Sequence, residues 1–376
     1  MRTALINGRV LTDDGLKEGL TVVIDGETIV EVSTSRVDAE RTHDLEGRIL
    51  APGFIDCQVN GGGGVLFNDE PTVEGVRRIA QAHRRFGTTG MLPTLISDDA
   101  MVMRKAVDAV AQAFAQHVPG VLGIHLEGPF LATSKKGIHN SAKFRVPDTA
   151  DIELLSGEVK TLLTIAPEEV SPRVINELSG RGVIVAAGHT NATYEQTRAA
   201  LDAGMRGFTH LYNAMSPLQG RAPGAVGAAL DDDASWCGII ADGHHVHAAA
   251  LRIALRAKPR GKIFLVTDAM PPVGSDDPTF RLNGETISCR DGLCTNETGT
   301  LAGSALDMAA AVRNAVATLC VDLAEALRMA SQYPAAFIGL ERTHGRIAEG
   351  FVADLVVLDD GFVTDTWCAG HHERAV

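Results

Sequence analysis

The sequence predicts an α/β protein, a (β/α)8 barrel of the TIM type with a small β-sandwich domain formed by both chain termini. In the middle of the chain, short apolar runs alternate with amphipathic helical stretches, which is typical of parallel α/β folds. Both ends of the chain instead carry short β-branched runs separated by turn residues. We expect residues 1–51 and 345–376 to form the small domain, and 52–344 the barrel.

The N-terminal segment indicates a small antiparallel sheet. Asn7-Gly8 and Asp25-Gly26 are dipeptides typical of β-hairpin turns. The C-terminal segment GRIAEGFVADLVVLDDGFVTDTWCAG shows the same pattern of short apolar runs and turns. A single sheet built from both ends of the chain, next to a central domain, accounts for both segments.

Eight candidate strands lie between these ends, and helix candidates such as TVEGVRRIAQAHRRFG, AMVMRKAVDAVAQAFAQH and TYEQTRAALDAG separate most of them. This number of strands, with their helices, suits a (β/α)8 barrel, which typically has about 250 residues and more with insertions. A doubly wound open sheet is the alternative. The predicted strands are 54–58, 90–95, 121–127, 161–166, 183–188, 207–210, 237–241 and 262–267.

The composition limits the classes of function. The chain has 376 residues and a formal net charge of −13, which argues against nucleic acid or an anionic membrane as the main partner. We predict neither a signal peptide nor a transmembrane helix, because no basic segment precedes a long apolar core and no apolar run approaches about 18 residues. The six cysteines show no paired spacing, so free thiols in a reducing cytoplasm are expected.

Four predicted strands end in side chains that bind metals or transfer protons. Glu127 follows strand 3, His189 strand 5, His210 strand 6 and Asp268 strand 8. The active site of such barrels lies at these C-terminal strand ends. Two imidazoles and a carboxylate, with the fourth position left to water, form a catalytic zinc set, and a further carboxylate suits proton transfer. Each residue alone has an ordinary interpretation, as a loop hydrogen-bonder, helix cap or turn residue. Their joint position favours a metal site.

The loops beyond these strand ends carry groups that bind anions. Arg221 lies in a glycine-rich segment after strand 6, and His139 lies in KKGIHNSAK after strand 3. Gly303-Ser304 leads into a predicted helix whose backbone N–H groups are free to bind oxygen atoms. Together they indicate a small anionic ligand such as a phosphate ester. A plain surface position for Arg221 is an equal alternative.

The remaining histidines have structural interpretations. His125 is expected to be a packed, hydrogen-bonded residue inside the barrel. His244 and His247 are expected at the surface or at a helix start, and His371 and His372 in solvent.

A series of motifs connects the sequence to a known family. HLEGPF and THLYNAM are the specific ones, and PGFID and ADLVVLD mark a superfamily. The others, in chain order, are KKGIHN, AAGHT, GRAPG, IADGHHVH, VTDAM and TLAGS. In these motifs and their spacing the chain resembles the N-acetylglucosamine-6-phosphate deacetylases of the amidohydrolase superfamily over nearly its whole length. The resemblance implies hydrolysis of the N-acetyl group of N-acetyl-D-glucosamine 6-phosphate to D-glucosamine 6-phosphate and acetate.

The resemblance also implies roles for individual residues. Glu127, His189 and His210 would hold one divalent metal ion per chain, with Zn²⁺ the best match. Asp268 would be the general base and acid for a metal-activated water, and His139 would polarise the acetamide carbonyl. Homodimers are common in the family, so a homodimer is expected. The residues expected to contact the amino-sugar phosphate are His139, Asn213, Ala214, Arg221, His245, Leu301, Ala302 and Gly303.

The segment PGFIDCQVNGGGG departs from the superfamily pattern, because Gln58 and Asn60 stand where a metal-binding His-x-His pair would be. Neutral amides are poor ligands for a borderline metal. We therefore expect a single metal site, with both amides hydrogen-bonded to Asp268 or to the bound water. Two alternatives remain: another amidohydrolase of the dihydroorotase or dipeptidase type, which depends on the missing pair, and a non-catalytic sugar-phosphate sensor.

Overall fold

The computed structural model describes residues 1–35 and 37–375, which contain 22 strands and ten α-helices. In chain order the strands are β1 (Arg2–Thr12), β2 (Gly15–Asp25), β3 (Thr28–Ser33), β4 (Arg41–Asp44), β5 (Ile49–Pro52), β6 (Phe54–Val59), β7 (Gly61–Gly62), β8 (Val65–Leu66), β9 (Thr88–Ile96), β10 (Ile124–Glu127), β11 (Thr161–Ile165), β12 (Ile184–Ala187), β13 (Gly207–Phe208), β14 (Trp236–Ile240), β15 (Ile263–Val266), β16 (Thr279–Leu282), β17 (Glu285–Arg290), β18 (Leu293–Thr295), β19 (Leu301–Ser304), β20 (Leu355–Asp359), β21 (Phe362–Cys368) and β22 (His371–Arg374).

The α-helices begin at side-chain caps in most cases. Thr72 accepts a hydrogen bond from the Gly75 N–H at the first helix, and Thr193 and Gln196 form a capping box at the fifth. Two short 3₁₀ turns cover Thr133–Lys135 and Ser141–Lys143. The α-helices are α1 (Val73–Arg84), α2 (Ala100–Ala115), α3 (Thr149–Leu155), α4 (Pro172–Gly180), α5 (Tyr194–Asp202), α6 (Gly224–Asp231), α7 (Ala248–Ala257), α8 (Met308–Leu319), α9 (Leu323–Ala330) and α10 (Gln332–Phe337).

The central sheet is a closed parallel barrel. Its strands pair in the order β15-β14-β13-β12-β11-β10-β9-β6. The first and last strands meet where the Asp268 N–H donates to the Gln58 carbonyl at 3.0 Å and the Asn60 N–H donates to the Ala269 carbonyl at 2.9 Å. The (β/α)8 prediction is therefore confirmed, and the open-sheet alternative is wrong. All eight predicted strands are present, and strand 121–127 begins late, at Ile124.

Both chain ends form a second sheet, with the order β22-β21-β20-β5-β1-β2-β3 and with β4 paired to β1. β5 and β20 join its two halves in antiparallel register. The sheet has its own apolar core, which includes Leu5, Val22 and Trp367. This pairing supports the division into 1–51 with 345–376 and 52–344, which stays a prediction.

One of the two predicted hairpin turns is wrong. Asp25-Gly26 lies at the end of β2, directly before β3, as predicted. Asn7-Gly8 instead lies inside β1, where the pairing with β2 shifts register between Leu5 and Gly8. Asn7 has a φ of 59°, so this dipeptide forms a β-bulge rather than a turn.

An unpredicted antiparallel sheet, β16 to β19, lies between β15 and α8. It corrects the interpretation of Gly303-Ser304, which end β19 rather than lead directly into a helix; α8 begins at Met308 with Asp307 as its cap. The sheet also corrects the expectation of free thiols. Cys289 and Cys294 lie opposite each other on β17 and β18 and are joined by a disulfide.

Among the described residues, no helix combines the length and the apolar character that crossing a bilayer requires.

Candidate active site

The C-terminal ends of the barrel strands bring four predicted residues together. Glu127 ends β10, while His189, His210 and Asp268 each lie two residues beyond a strand end. These last three have positive φ angles of 48°, 32° and 55°. Residues other than glycine rarely adopt this conformation, so the surrounding structure must hold it against local preference, as is common at functional sites. All four side chains are buried.

Three of these side chains form a compact triangle. Glu127 Oε1 lies 2.9 Å from His210 Nε2 and 3.2 Å from His189 Nε2, and the two nitrogens are 3.2 Å apart. Tetrahedral zinc with bonds of about 2.05 Å places its ligand atoms about 3.3 Å from one another. The triangle therefore has nearly the dimensions of one face of such a tetrahedron.

The orientation of the His189 ring also fits a metal site. Its Nδ1 lies 2.9 Å from the Lys135 carbonyl, which can only accept, so Nδ1 carries the proton and Nε2 presents a lone pair to the triangle. His210 Nδ1 has no hydrogen-bond partner among the described residues. Two imidazole nitrogens and a carboxylate oxygen at these separations fit a divalent cation. The assignment of Glu127, His189 and His210 as its ligands stays a prediction.

His139 lies close enough to the triangle to be considered as a ligand itself. Its Nε2 is 3.8 Å from Glu127 Oε2, and one ligand atom each of His139, Glu127 and His189 lie within 4.8 Å of one another. Its other nitrogen decides against this role. The Ser97 backbone N–H, which can only donate, points at His139 Nδ1 at 3.4 Å, and Ser97 Oγ lies 2.9 Å from the same atom.

Since Nδ1 of His139 accepts from Ser97, the neutral ring carries its proton on Nε2. Burial, and then the nearby His189, lower the pKa of His139 to about 3, which keeps the ring neutral. His139 therefore presents an N–H donor rather than a lone pair. Ser97 follows β9 directly and was missed in the sequence, although its position at a strand end was a usable signal.

Gln58 and Asn60 are hydrogen-bond donors to Asp268, which confirms the sequence-based prediction. Asn60 Nδ2 donates to Asp268 Oδ1 at 2.6 Å, and Gln58 Nε2 donates to the same oxygen at 3.0 Å and to Glu127 Oε1 at 3.2 Å. Burial, and then the Glu127 charge, raise the pKa of Asp268 to about 6, while the Asn60 hydrogen bond opposes this rise. The two amides thus orient the carboxylate and stabilise its charged form.

These groups open onto a cavity of about 230 Å³, a size that suits a small molecule rather than a polymer. Ala302 is fully buried and Arg221 is exposed, and neither lines the cavity; the substrate contacts of these two and of the lining residues all stay predictions. Ile96, Met270 and Thr300 line the cavity without having been predicted. The predicted residues that do line it are Glu127, His139, His189, His210, Asn213, Ala214, His245, Asp268, Leu301 and Gly303.

The other histidines occupy defined positions. His125 is fully buried and bonded to Thr94 and Thr164, as predicted. His247 caps α7, also as predicted. His245 Nδ1 donates to the Asp242 carboxylate at 2.6 Å, which orients the ring at the cavity wall.

Comparison with known proteins agrees with this geometry. Residues 49–372 match the model of the amidohydrolase family. The chain is 45% identical to the N-acetylgalactosamine-6-phosphate deacetylase of Shewanella sp. (strain ANA-3), over 96% of this chain and 93% of that protein. It is 37% identical to the N-acetylglucosamine-6-phosphate deacetylase of Haemophilus influenzae, over 96% of both.

Solved structures show the same relationship. The crystal structure of N-acetylglucosamine-6-phosphate deacetylase from Pasteurella multocida matches with a TM-score of 0.96 and 36% identity, over 100% of both chains. A mutant of the Mycobacterium smegmatis deacetylase in complex with N-acetyl-D-glucosamine-6-phosphate matches with a TM-score of 0.90 and 34% identity, over 99% of this chain and 98% of that chain. The chain belongs to the amidohydrolase family and is a hydrolase of carbon–nitrogen amide bonds. These four relatives are deacetylases of N-acetylhexosamine 6-phosphates.

Proposed function

We propose that the protein removes the N-acetyl group of N-acetyl-D-glucosamine 6-phosphate, releasing D-glucosamine 6-phosphate and acetate. One observation carries this proposal: a carboxylate suited to proton transfer, Asp268, and a fixed N–H donor, His139, line the same cavity as the triangle of Glu127, His189 and His210. A sensor that only binds sugar phosphates needs neither group.

The triangle is proposed to hold one Zn²⁺ ion, because two imidazoles and one carboxylate are a common catalytic zinc set. A divalent cation held there supplies Lewis acidity towards the acetyl carbonyl and the attacking water. The donor set supports this assignment through its spacing and through the orientation of the His189 ring.

The residues of the chain perform the remaining steps. Asp268 removes a proton from the attacking water and delivers it to the departing amine nitrogen when the carbon–nitrogen bond breaks. His139 Nε2–H donates to the carbonyl oxygen as negative charge develops on it. Gln58 and Asn60 keep the Asp268 carboxylate oriented throughout, because their NH₂ groups hold one of its oxygens.

N-acetyl-D-galactosamine 6-phosphate is a second candidate substrate, favoured by the 45% identity to a deacetylase named for it. The two sugars differ in the configuration of one hydroxyl group, so the same chemistry serves either. We also propose a cytoplasmic location, which the sequence predicted. From the family resemblance we propose a homodimer, which light scattering of the purified protein tests.

The test is a coupled deacetylation assay with both sugar phosphates, with and without a chelator, on wild type and Asp268→Asn. We expect turnover of at least one sugar phosphate, loss with chelator and recovery with Zn²⁺. Asp268→Asn should bind the substrate with near-normal affinity in calorimetry and lose about 100- to 10,000-fold in kcat. A near-normal kcat in this variant would show that Asp268 is not the base.

Two further outcomes identify the alternatives. Binding of both sugar phosphates to the Zn²⁺-loaded wild type without acetate release would indicate a sensor. Turnover of dihydroorotate or of a dipeptide instead would indicate a different amidohydrolase.

A further inference from the structure

A second group of metal-binding side chains lies in the terminal sheet, outside the barrel. His43 is on β4, Asp365 on β21 and His372 on β22. One ligand atom of each lies within 4.8 Å of the other two. His372 is exposed, as predicted, and its ring also bonds to Asp365 and stacks on Trp367.

The separations suit a divalent metal after small side-chain movements. Asp365 Oδ1 lies 2.8 Å from His372 Nε2 and 3.9 Å from His43 Nε2. These two distances bracket the value of about 3.3 Å expected between ligands of tetrahedral zinc. Rotations that move the ring nitrogens by about half an ångström would give both distances the ideal value. Asp365 is only 2% exposed, so its carboxylate is well fixed.

His43 gives an independent indication. Its Nε2 is buried and has no hydrogen-bond partner among the described residues. Buried polar atoms are almost always satisfied, and the 3.9 Å to Asp365 Oδ1 is too long for a hydrogen bond. A cation between the two atoms would give His43 Nε2 a partner.

The surroundings orient the three groups. Arg48 Nη1 lies 3.4 Å from Asp365 Oδ2, while His372 bonds to the other carboxylate oxygen, Oδ1. The Trp367 ring stacks on His372 with centroids 4.4 Å apart and meets His43 edge-on at 5.1 Å. Such outer contacts are typical of metal sites, because they fix the ligand rings.

Two guanidinium groups oppose a cation here. Arg48 is one, and Arg374 Nε lies 3.8 Å from Asp365 Oδ1. The Arg374 side chain is 81% exposed, so it can move into solvent when a cation binds. We therefore expect weaker binding than at a structural zinc site.

We propose that His43, Asp365 and His372 form a second binding site for a divalent metal of the Zn²⁺ class, with water completing its coordination. Such an ion would join β4 to β21 and β22, which do not pair with β4. It would thereby cross-link the N-terminal and C-terminal segments of the chain. The expectation of one ion per chain then applies to the barrel alone.

The test is metal content of the full-length protein after dialysis against buffered free Zn²⁺, measured by mass spectrometry. We expect two ions per chain in wild type, one in His43→Ala and one in Glu127→Ala, which loses the barrel ion. His371→Ala is the matched control. This exposed neighbour lies on the same strand as His372, and successive strand residues point to opposite faces, so it should keep two ions.

A thermal shift separates this site from general surface binding. Raising free Zn²⁺ from the concentration that fills the barrel site should raise the melting temperature of wild type and His371→Ala but not of His43→Ala. His43→Ala should keep wild-type kcat on the sugar phosphate. Equal Zn²⁺ content in wild type and His43→Ala, or equal losses in His43→Ala and His371→Ala, would overturn the proposal. Neither of these two outcomes would count against the proposed deacetylation in the barrel. The metal content of Glu127→Ala tests the barrel site separately.

Discussion

Ser97 determines which nitrogen of His139 carries the proton, and its hydroxyl can be removed selectively. Ser97→Ala deletes the Oγ that lies 2.9 Å from His139 Nδ1 and leaves the backbone N–H at 3.4 Å in place. The variant should therefore weaken the orientation of the ring without abolishing the N–H donor at Nε2. Ser97 Oγ also donates to the Glu127 carbonyl at 3.3 Å, so a loss of activity can come either from His139 or from Glu127.

The magnitude follows from the strength of one neutral hydrogen bond. Such a bond contributes about 0.5 to 1.5 kcal/mol, and each 1.36 kcal/mol in the barrier changes the rate tenfold. If the bond to His139 is fully expressed in the transition state, kcat falls about two- to thirteen-fold. His139→Ala, which removes the proposed oxyanion donor, should lower kcat about 100- to 1,000-fold.

The assay is a double-mutant cycle on kcat in the deacetylation reaction. Ser97→Ala should slow the wild-type enzyme and have almost no effect in the His139→Ala background, because its partner is then absent. KM should change little in the single variant, and Ser97→Thr, which keeps the hydroxyl, should keep most of the rate. The same loss in both backgrounds would refute the reasoning, since Ser97 would then act through Glu127 and β10.

Two further predictions concern buried carboxylates. Asn60→Leu removes a hydrogen bond that lowers the pKa of Asp268, so the acid limb of the kcat/KM profile should move to higher pH; an unmoved limb would contradict Asp268 as the base. Burial raises the pKa of Asp56 to about 7, well above the pKa of an aspartate in the unfolded chain. The protonated carboxyl therefore contributes fully to the free energy of unfolding below about pH 4, and this contribution is lost as the pH rises through 7. Asp56→Asn should therefore reduce the difference between the melting temperatures at pH 5 and pH 8, and an unchanged difference would show that Asp56 does not titrate in this range.

Much of the site could be predicted because the parallel strands of a barrel all place their C-terminal ends at the same end of the barrel. Glu127, His189, His210 and Asp268 each follow an apolar run, so strand prediction alone brought them together. The substitution of Gln58 and Asn60 for histidines was informative for the same reason, since both belong to the end of a strand that adjoins Asp268. What failed was local: Asn7-Gly8 has the composition of a turn, yet register with β2 made it a bulge.

The inserted sheet shows a different limit. Asn283-Gly284 and Asp291-Gly292 are hairpin signals of the usual kind, and all four residues have positive φ angles. They form the β16–β17 and β17–β18 turns, in a position where the (β/α)8 pattern alone predicts only a helix. The disulfide could not be predicted from spacing, because Cys289 and Cys294 are brought opposite each other only by the register of β17 and β18. The strand-end position of Ser97 was a signal in the sequence, but its role became apparent only from its contact with His139.

The contact between β6 and β15 that closes the barrel has a consequence for biosynthesis. The hydrogen bonds from Gln58 and Asn60 to Asp268 join residues 210 and 208 positions apart, so one half of the site is synthesised long before the other. Loop closure over such a distance is entropically costly and needs the intervening strands to be in place. A ribosome-bound chain that ends before strand β15 has the Glu127, His189 and His210 side chains but lacks Asp268, the proposed base. If Asp268 is the base, as proposed, hydrolysis begins only after β15 has joined β6, and enzyme activity reports closure of the barrel.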